Sequence, residues 1–462
     1  MTEPDTGEWS FEVDVAVVGA GGCGLTAALR AAHENASVFV FEKMAVPLPN
    51  TARSTGMVPA AGTRWQRAAG IDDSPSVFVS DVMRKTHGQA DARLADHLAR
   101  ASAPMVEWLV DRAEVELELV TGFTYPGHSR FRMHAPADRA GTTLMRDLRH
   151  AVDAREEIEV VVDAPATALV ADDAGAVRGL VVRHGDAVER VRAGAVVLAS
   201  NGFGANPDMV RRYCPAMADA LYLGGEGSTG EAVVWGQALG ARTAFLDAYQ
   251  GHSSVAVPLN VLISYATVME GGIIVNRDGE RFGDETAGYS EFATQVIAQP
   301  GGTAVLVFDD RIHRLALAFE DYRVAVEAGA LRTADSPAAL AERTSVSPEG
   351  LERTLGAYAA AADGVPDAFG RADCRVFEPP LHAVTVTGAL FHTQGGLVVD
   401  EHARVQREDG STIAGLYAGG GAAEGISGHG ASGYVSGNGL LSALGLGWLA
   451  GRHAATTVVS AR

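Results

Sequence analysis

Cysteine is scarce and unpaired. Cys23, Cys214 and Cys374, three residues in 462, lie far apart and form no CxxC pair. This argues against a disulfide framework, a zinc ribbon, an Fe–S ligand set or a CxxCH haem site, and no metal site is expected. Basic residues are in deficit: 37 Lys and Arg stand against 57 Asp and Glu, a formal net charge of −20. Nucleic-acid backbones and anionic membrane surfaces are held by clustered Lys and Arg, so neither is an expected partner. No run of 18 apolar residues occurs, so no membrane span is expected. The stretch Met1 to Trp9 is polar and acidic rather than signal-like. The expectation is a soluble chain of a reducing, cytoplasmic compartment.

What is present is glycine and a large apolar fraction. Apolar residues make up 47%, enough for a sizeable core, and 54 glycines exceed the average of about 7% without any collagen period. Such glycine implies tight turns and close backbone approaches. The length allows two to three domains. From Phe11 to Lys43 the pattern is buried strand, glycine turn, Ala/Leu helix and second apolar strand, a βαβ unit. A helix is expected around Ala95–Arg112, with Pro104 kinking or interrupting it. Short strands are expected at Glu157–Val162, Ala166–Ala171, Gly179–Arg183 and Ala195–Leu198. The fold class expected is α/β: a Rossmann-like domain formed by residues 1–249 and 372–462, with an inserted α+β capping domain at 250–371.

The chemistry starts at Gly19-Ala20-Gly21-Gly22-Cys23-Gly24, a GxGxxG between strand and helix, with Glu42 placed 18 residues after Gly24 at the end of the second strand. Gly19 permits the tight turn, Gly21 lets backbone approach a pyrophosphate, and Gly24 lets helix and strand pack closely. The helix N-terminus faces the phosphates, and Glu42 accepts from ribose hydroxyls. Distant glycine turns follow: Asn50 to Gly56, Val196 to Gly204, Gly415 to Gly421, and Gly437-Asn438-Gly439 opening a long apolar helix. An extended cofactor lying along one sheet suits them, and the last helix N-terminus would stabilise negative charge on a reduced flavin ring.

In this order the segments resemble the flavoprotein family of fumarate reductase, succinate dehydrogenase and the 3-ketosteroid dehydrogenases, over nearly the whole chain. Asn276-Arg277-Asp278-Gly279-Glu280-Arg281-Phe282 with Asp284-Glu285 is close to the family's NxxGxRFxNE, and His392-Thr393-Gln394-Gly395-Gly396 to its HTxGG. The resemblance implies FAD and redox chemistry at a C–C bond beside an electron-withdrawing group. The cofactor residues expected are Gly19, Gly21, Gly22, Gly24, Glu42, Lys43, Ser54, Thr55, Gly56, Ala168, Ser200, Asn201, Gly202, His392, Gly421, Glu424, Gly437, Asn438, Gly439, Leu440 and Leu441. Asn50 stands near the place of the family's flavin-linked His, so the FAD is expected to be non-covalent.

Against the fumarate branch, Tyr289 stands where the catalytic Arg would fall, Phe391 replaces the first His of HHTxGG, and the Arg of HGANRxGGNA is lost. Tyr265 and Val268 replace the Glu and Arg of the proton-delivery helix, while His252 remains. A buried dicarboxylate without its clamping cations costs several kcal/mol. Tyr289 and Tyr434-Val435-Ser436 are instead similar to the branch that desaturates 5α-3-ketosteroids between C4 and C5, and the YPGPG segment of the Δ1 enzymes is absent. The resemblance implies α,β-dehydrogenation of a cyclic ketone, either a 3-ketosteroid or a smaller cyclohexanone-type molecule. Tyr434 polarises the carbonyl, Tyr289 and Ser436 serve in proton removal, His252 is a further acid–base candidate, and flavin N5 takes the β-hydride. Tyr125 and His128 are expected in a loop bordering the pocket, and Asp284-Glu285 as structure rather than an acid pair. Electrons leave to an external acceptor: a quinone, a dye-like carrier or oxygen. The rivals are a reductase of an activated alkene, such as an enoate, fumarate- or urocanate-like acid, and an electron-transfer subunit of a complex.

Overall fold

The structure, a computed structural model, describes residues 2–122 and 124–462. In chain order the elements that concern the site begin with β1 (Phe11–Val18), α1 (Gly22–His33), β2 (Val38–Phe41), α2 (Ala92–Arg112), β3 (Ile158–Val161), β4 (Ala166–Ala171), β5 (Val177–His184) and β6 (Ala187–Leu198). They continue with β7 (Leu221–Tyr222), β8 (Tyr249–Ala256), β9 (Ile273–Val275), α3 (Tyr289–Ile297), β10 (Thr303–Asp309), β11 (Leu381–Thr393), β12 (Thr412–Ala418) and α4 (Asn438–Val459). Two units result: Met1–Pro215 with Gly224–Tyr249 and His392–Arg462, and Ala216–Leu223 with Gln250–Phe391.

The first unit is an α/β layer built on a mixed sheet. β1 is buried without interruption from Val13 to Val18, the pattern of a parallel strand covered on both faces. It pairs in parallel with β6 on one side and β2 on the other, and β3 continues the parallel run beyond β2. The first half of β6 pairs antiparallel with β5, and its last three residues pair in parallel with β12. β5 and β6 are longer than expected, because exposed charges at Arg178 and Arg192 alternate with buried positions and hide the strands from an apolar count. Every residue of α1 except His33 is buried. α4 covers it closely: a Cβ on Gly447 would stand 2.4 Å from the Cys23 carbonyl oxygen, and one on Gly451 2.2 Å from that of Ala27. This glycine pair at i, i+4 lets two helices meet backbone to backbone. α2 is unbroken, contrary to the expectation for Pro104. Pro104 and Arg100 face solvent, which can serve the carbonyl that proline leaves without a donor, while Leu98, Met105, Val106 and Leu109 anchor the opposite face.

The second unit is built on a seven-stranded sheet in which β11 lies between β8 and β10, with β9 beyond β10. The division corrects the expected boundary at 371/372. β11 pairs antiparallel with β10 from Leu381 to Thr387, and Leu221–Tyr222 pairs in parallel with Ala389–Leu390, so residues 372–391 and the short segment 216–223 go with this sheet. Its core includes Phe292, Phe308, Tyr322, Ile274 and Val386. A buried ion cluster lies in it. Arg281 makes a two-pronged pair with Glu285 at 2.9 and 2.8 Å and reaches Asp367 at 2.6 Å, while Arg371 stands 3.4 Å from Glu285. Glu285 also accepts from the Ile274 N–H at 3.1 Å. Asp284 caps the short helical turn that follows it.

Candidate active site

In the first unit the carboxyl ends of β1, β6 and β12 lie side by side, with Leu198 in register with both Val18 and Ala418. Three glycine turns leave the sheet together there, the usual place for a ligand in an open α/β sheet. Each turn touches the next closely. A Cβ on Gly19 (φ +104°) would stand 2.7 Å from the Ala199 carbonyl oxygen, one on Gly421 2.3 Å from Asn201 Oδ1, and one on Gly202 2.0 Å from Thr393 Oγ1. Gly24 would meet the Gly19 carbonyl oxygen at 1.8 Å, whereas a Cβ on Gly21 finds only Pro49, at 3.4 Å. Gly21 is therefore the open glycine of the turn. Ser200 Oγ is buried here with no hydrogen-bond partner among the described residues, and no acidic residue occupies the first turn of α1. Open backbone at a helix N-terminus, an orphaned hydroxyl and a glycine cradle fit a diphosphate-bearing dinucleotide.

The remaining expected cofactor residues distribute unevenly. Glu42 accepts from the Ala20 N–H at 2.9 Å through Oε2 and from the Met44 N–H at 2.9 Å through Oε1, tying the glycine turn to the end of β2. Each oxygen keeps a lone pair for a ribose hydroxyl. Lys43 turns to Thr229 (2.5 Å) and Glu231 (2.9 Å). Ser54, Thr55 and Gly56 form a self-bonded loop, with Ser54 Oγ donating to the Thr51 carbonyl and accepting from the Gly56 N–H. Thr51 was not foreseen. Its Oγ1 accepts from the Gly22 N–H at 3.2 Å and brings this loop onto α1. Ala168 lies inside β4 with its side chain in a small core beside Val170, Val181 and Trp9, and Leu440 and Leu441 belong to the main core. Glu424 is buried with Oε1 unpartnered among the described residues, and burial pushes its carboxyl up to about 7.

At the start of α4 a polar chain runs Asn438 to Ser427 (2.7 Å), Ser427 to Gln394 Oε1 (3.0 Å), and Gln394 Nε2 to His392 Nδ1 (3.0 Å). Because the Gln394 oxygen takes the Ser427 proton, its amide donates to the His392 ring, standing 3.0 Å from Nδ1 and 3.4 Å from Nε2. Burial lowers His392 to about 4, so it is neutral. Gly439 is required beside it, since a Cβ there would stand 2.8 Å from His392 Cε1. The His392 ring meets Tyr434 edge-on at 6.1 Å. Gln394 and Ser427 were also missed. The signal was the polar Gln394 inside His-Thr-Gln-Gly-Gly, which a helix-or-strand reading passes over. Ser436 is buried next to Tyr434, its carbonyl accepting from His128 at 2.8 Å. Tyr125 packs on the small cluster of Met57, Val120, Met133 and Ala135.

The second unit gathers the other candidates into an aromatic cluster. His252 stacks on Tyr289 (4.9 Å, 23°), meets Tyr265 edge-on (5.5 Å, 85°) and leans on Phe391 (5.9 Å). Its Nδ1 accepts from the Ser254 N–H at 3.1 Å, so the proton sits on Nε2, and burial lowers it to about 3. Tyr265 donates to the Glu285 carbonyl at 2.6 Å and burial raises its phenol, keeping it neutral. Arg281 and Arg371 of this unit are spent on Glu285, Asp367 and Asp373. Among the described residues no group of His, Cys, Asp and Glu could hold a metal ion, and no helix is long and apolar enough to cross a membrane.

The FAD binding domain family model matches residues 14–440. An NADH:fumarate oxidoreductase of Klebsiella pneumoniae is 32% identical over 450 residues, covering 96% of this chain, which spans about half of that relative's length (47%). The open conformation of a flavocytochrome c3 fumarate reductase superposes with a TM-score of 0.83 at 30% identity, covering 98% of this chain and 79% of the other. A 3-ketosteroid-Δ4-(5α)-dehydrogenase from Rhodococcus jostii RHA1, in complex with 4-androstene-3,17-dione, superposes at 0.78 with 25% identity, covering 98% and 99%. The chain belongs to the FAD binding domain family, within the flavoprotein superfamily that contains fumarate reductase.

Proposed function

We propose that the chain desaturates a cyclic ketone, a 3-ketosteroid or a smaller cyclohexanone-type molecule, at its α,β C–C bond. The observation that carries this reading is the aromatic, uncharged surroundings of His252. Tyr265, Tyr289 and Phe391 surround a neutral imidazole, and the nearby guanidinium groups are already paired with carboxylates. A dicarboxylate would enter such surroundings without a clamp, at a cost of about several kcal/mol, whereas a neutral ring gains by burying its apolar area. Bound FAD supplies the acceptor for the hydride leaving the β-carbon. The chain's own residues handle the carbonyl and the proton. Tyr434 donates a hydrogen bond to the carbonyl oxygen, strengthening as enolate charge builds. Tyr289 and Ser436 take the α-proton, with His252 Nε2–H as a neutral donor. The FAD is held non-covalently, Asn50 Oδ1 being engaged by the Gly225 N–H at 2.5 Å. Acid precipitation should therefore leave all of the flavin in the supernatant.

A second reading has its own support, the 30–32% identity to fumarate reductases: reduction of an activated alkene by the same residues run backwards. Anaerobic mixing separates the two. The oxidised flavin band should bleach with saturated steroid or monocyclic ketones, and the dithionite-reduced enzyme should be reoxidised slowly by fumarate and urocanate. Rapid reoxidation by either acid, with no bleaching by any ketone, overturns the ketone reading.

A further inference from the structure

We propose that His128 is a positioning residue for the Tyr434–Ser436 segment, acting as a tautomer-locked strut between that segment and a buried Arg–Asp cluster. For what the segment does, the proposal rests on the ketone reading. Where the segment sits, it rests on geometry alone.

Two backbone-level ties join the loops. The Ser436 N–H donates to the Pro126 carbonyl at 3.2 Å, and His128 Nε2 lies 2.8 Å from the Ser436 carbonyl oxygen. A carbonyl only accepts, so Nε2 carries the proton. Gly127 makes the approach possible: at φ +91° its Cβ would stand 3.1 Å from Val435. Nδ1 then presents a lone pair, and Arg132 Nη1 faces it at 3.5 Å. Arg132 itself cannot turn away. Its fully buried guanidinium is held by Asp73 at 3.0 and 2.9 Å and by Asp81 at 2.9 Å. Asp81 in turn accepts from the N–H and hydroxyl of Ser129, the residue after His128, both at 2.8 Å. The ring rests on Phe78, which also carries Arg132 on its face. Burial lowers His128 to about 4, so the neutral form and this tautomer persist through the physiological range. A donor with one orientation, backed by a charge that cannot move, fixes the carbonyl two residues beyond Tyr434. A shift of about 1 Å in a positioning group can cost about 100-fold in rate.

The test compares His128→Gln, whose amide can still donate to the Ser436 carbonyl, with His128→Phe, which keeps a ring on Phe78 but donates nothing. Hydrogen exchange of the 430–438 segment is followed in the FAD-loaded protein. Expected: wild-type-like protection in His128→Gln and exchange about tenfold or more faster in His128→Phe. Turnover of any ketone that bleaches the flavin should fall about 30- to 100-fold in the Phe variant with KM within threefold, and recover to within about fivefold in the Gln variant. Equal exchange in all three proteins overturns the proposal, as does a Gln variant no better than Phe. Should no ketone be turned over, the exchange result still decides this proposal, while only the ketone reading falls. If His128→Phe does not fold, long-range 1H–15N spectra of the wild-type protein decide it, with the His128 signal assigned by its loss in His128→Gln. A proton on Nε2 is expected, and one on Nδ1 refutes the strut.

Discussion

Gly21 and Gly24 occupy one motif, yet replacing each by alanine should damage different properties. At Gly24 the new methyl would lie 1.8 Å from the Gly19 carbonyl oxygen and 3.2 Å from Val17 Cγ1. Relief needs a movement of roughly 1.5 Å to reach ordinary contact, and Val17 is fully buried within β1. Overpacking typically costs about 1–3 kcal/mol, and a clash against backbone belongs at the upper end, about 3 kcal/mol. At Gly21 the nearest atom is Pro49 Cβ at 3.4 Å, and φ is −78°. Alanine fits there and reduces unfolded-chain entropy, worth about 0.4–1 kcal/mol in favour of folding. The same methyl, however, occupies the surface onto which a diphosphate must settle. Losing one charge-assisted backbone contact, about 1.5–3 kcal/mol, predicts FAD binding about 10- to 100-fold weaker. Urea unfolding of the FAD-free chain and flavin-fluorescence titration measure the two quantities separately. Gly21→Ala should keep its urea midpoint and lose affinity; Gly24→Ala should lose the midpoint. Wild-type FAD affinity in Gly21→Ala would refute the assignment of this turn to the diphosphate.

Three further outcomes are expected. Glu424 has its carboxyl pushed from 4.5 to about 7 by burial, so the folded state prefers it protonated. Its burial costs nothing below about pH 4.5, and the cost grows to about 3 kcal/mol as pH rises through 7. Glu424→Gln should therefore gain stability over wild type at pH 8 but not at pH 4.5, and a pH-independent difference in urea midpoints at fixed FAD would disprove the shift. Glu285→Ala leaves the Asp367 carboxylate to pair the buried guanidinium of Arg281 and the Asp373 carboxylate to pair that of Arg371, and should destabilise the second unit by about 3 kcal/mol; limited proteolysis within 250–391 reads this, and unchanged resistance would contradict a structural role. Tyr434→Phe should lower kcat about 100- to 1000-fold with little change in KM, since a lost oxyanion donor costs about 2.7–4 kcal/mol in the transition state. Near-normal turnover would move the carbonyl contact elsewhere.

The βα turn was legible because its constraints are local. Gly19, Gly21, Gly24 and Glu42 sit within one strand–helix–strand unit; Gly19 answers to its φ, Gly24 to a contact five residues away, and Gly21 to the open space at the helix N-terminus. The other glycine turns were legible as turns, but only the parallel register of β1, β6 and β12 brings residues 19, 199–202 and 421 together. The partner of Lys43 was not legible, because Glu231 is 188 residues distant. The Arg132–Asp73–Asp81 cluster was invisible for a similar reason, its pairing being 59 residues apart and without any periodic trace. The unit boundary moved to 391 because strand pairing, not composition, decides where a chain segment belongs. Sequence alone determined what depends on backbone conformation and residue chemistry along neighbouring positions: the nucleotide turn, and three cysteines spaced too far apart to form a CxxC pair. Tertiary structure decided the protonation of His128, His252 and His392 and the tautomers of His128 and His252, because desolvation and the hydrogen-bond partner that selects a ring nitrogen exist only once the chain is packed.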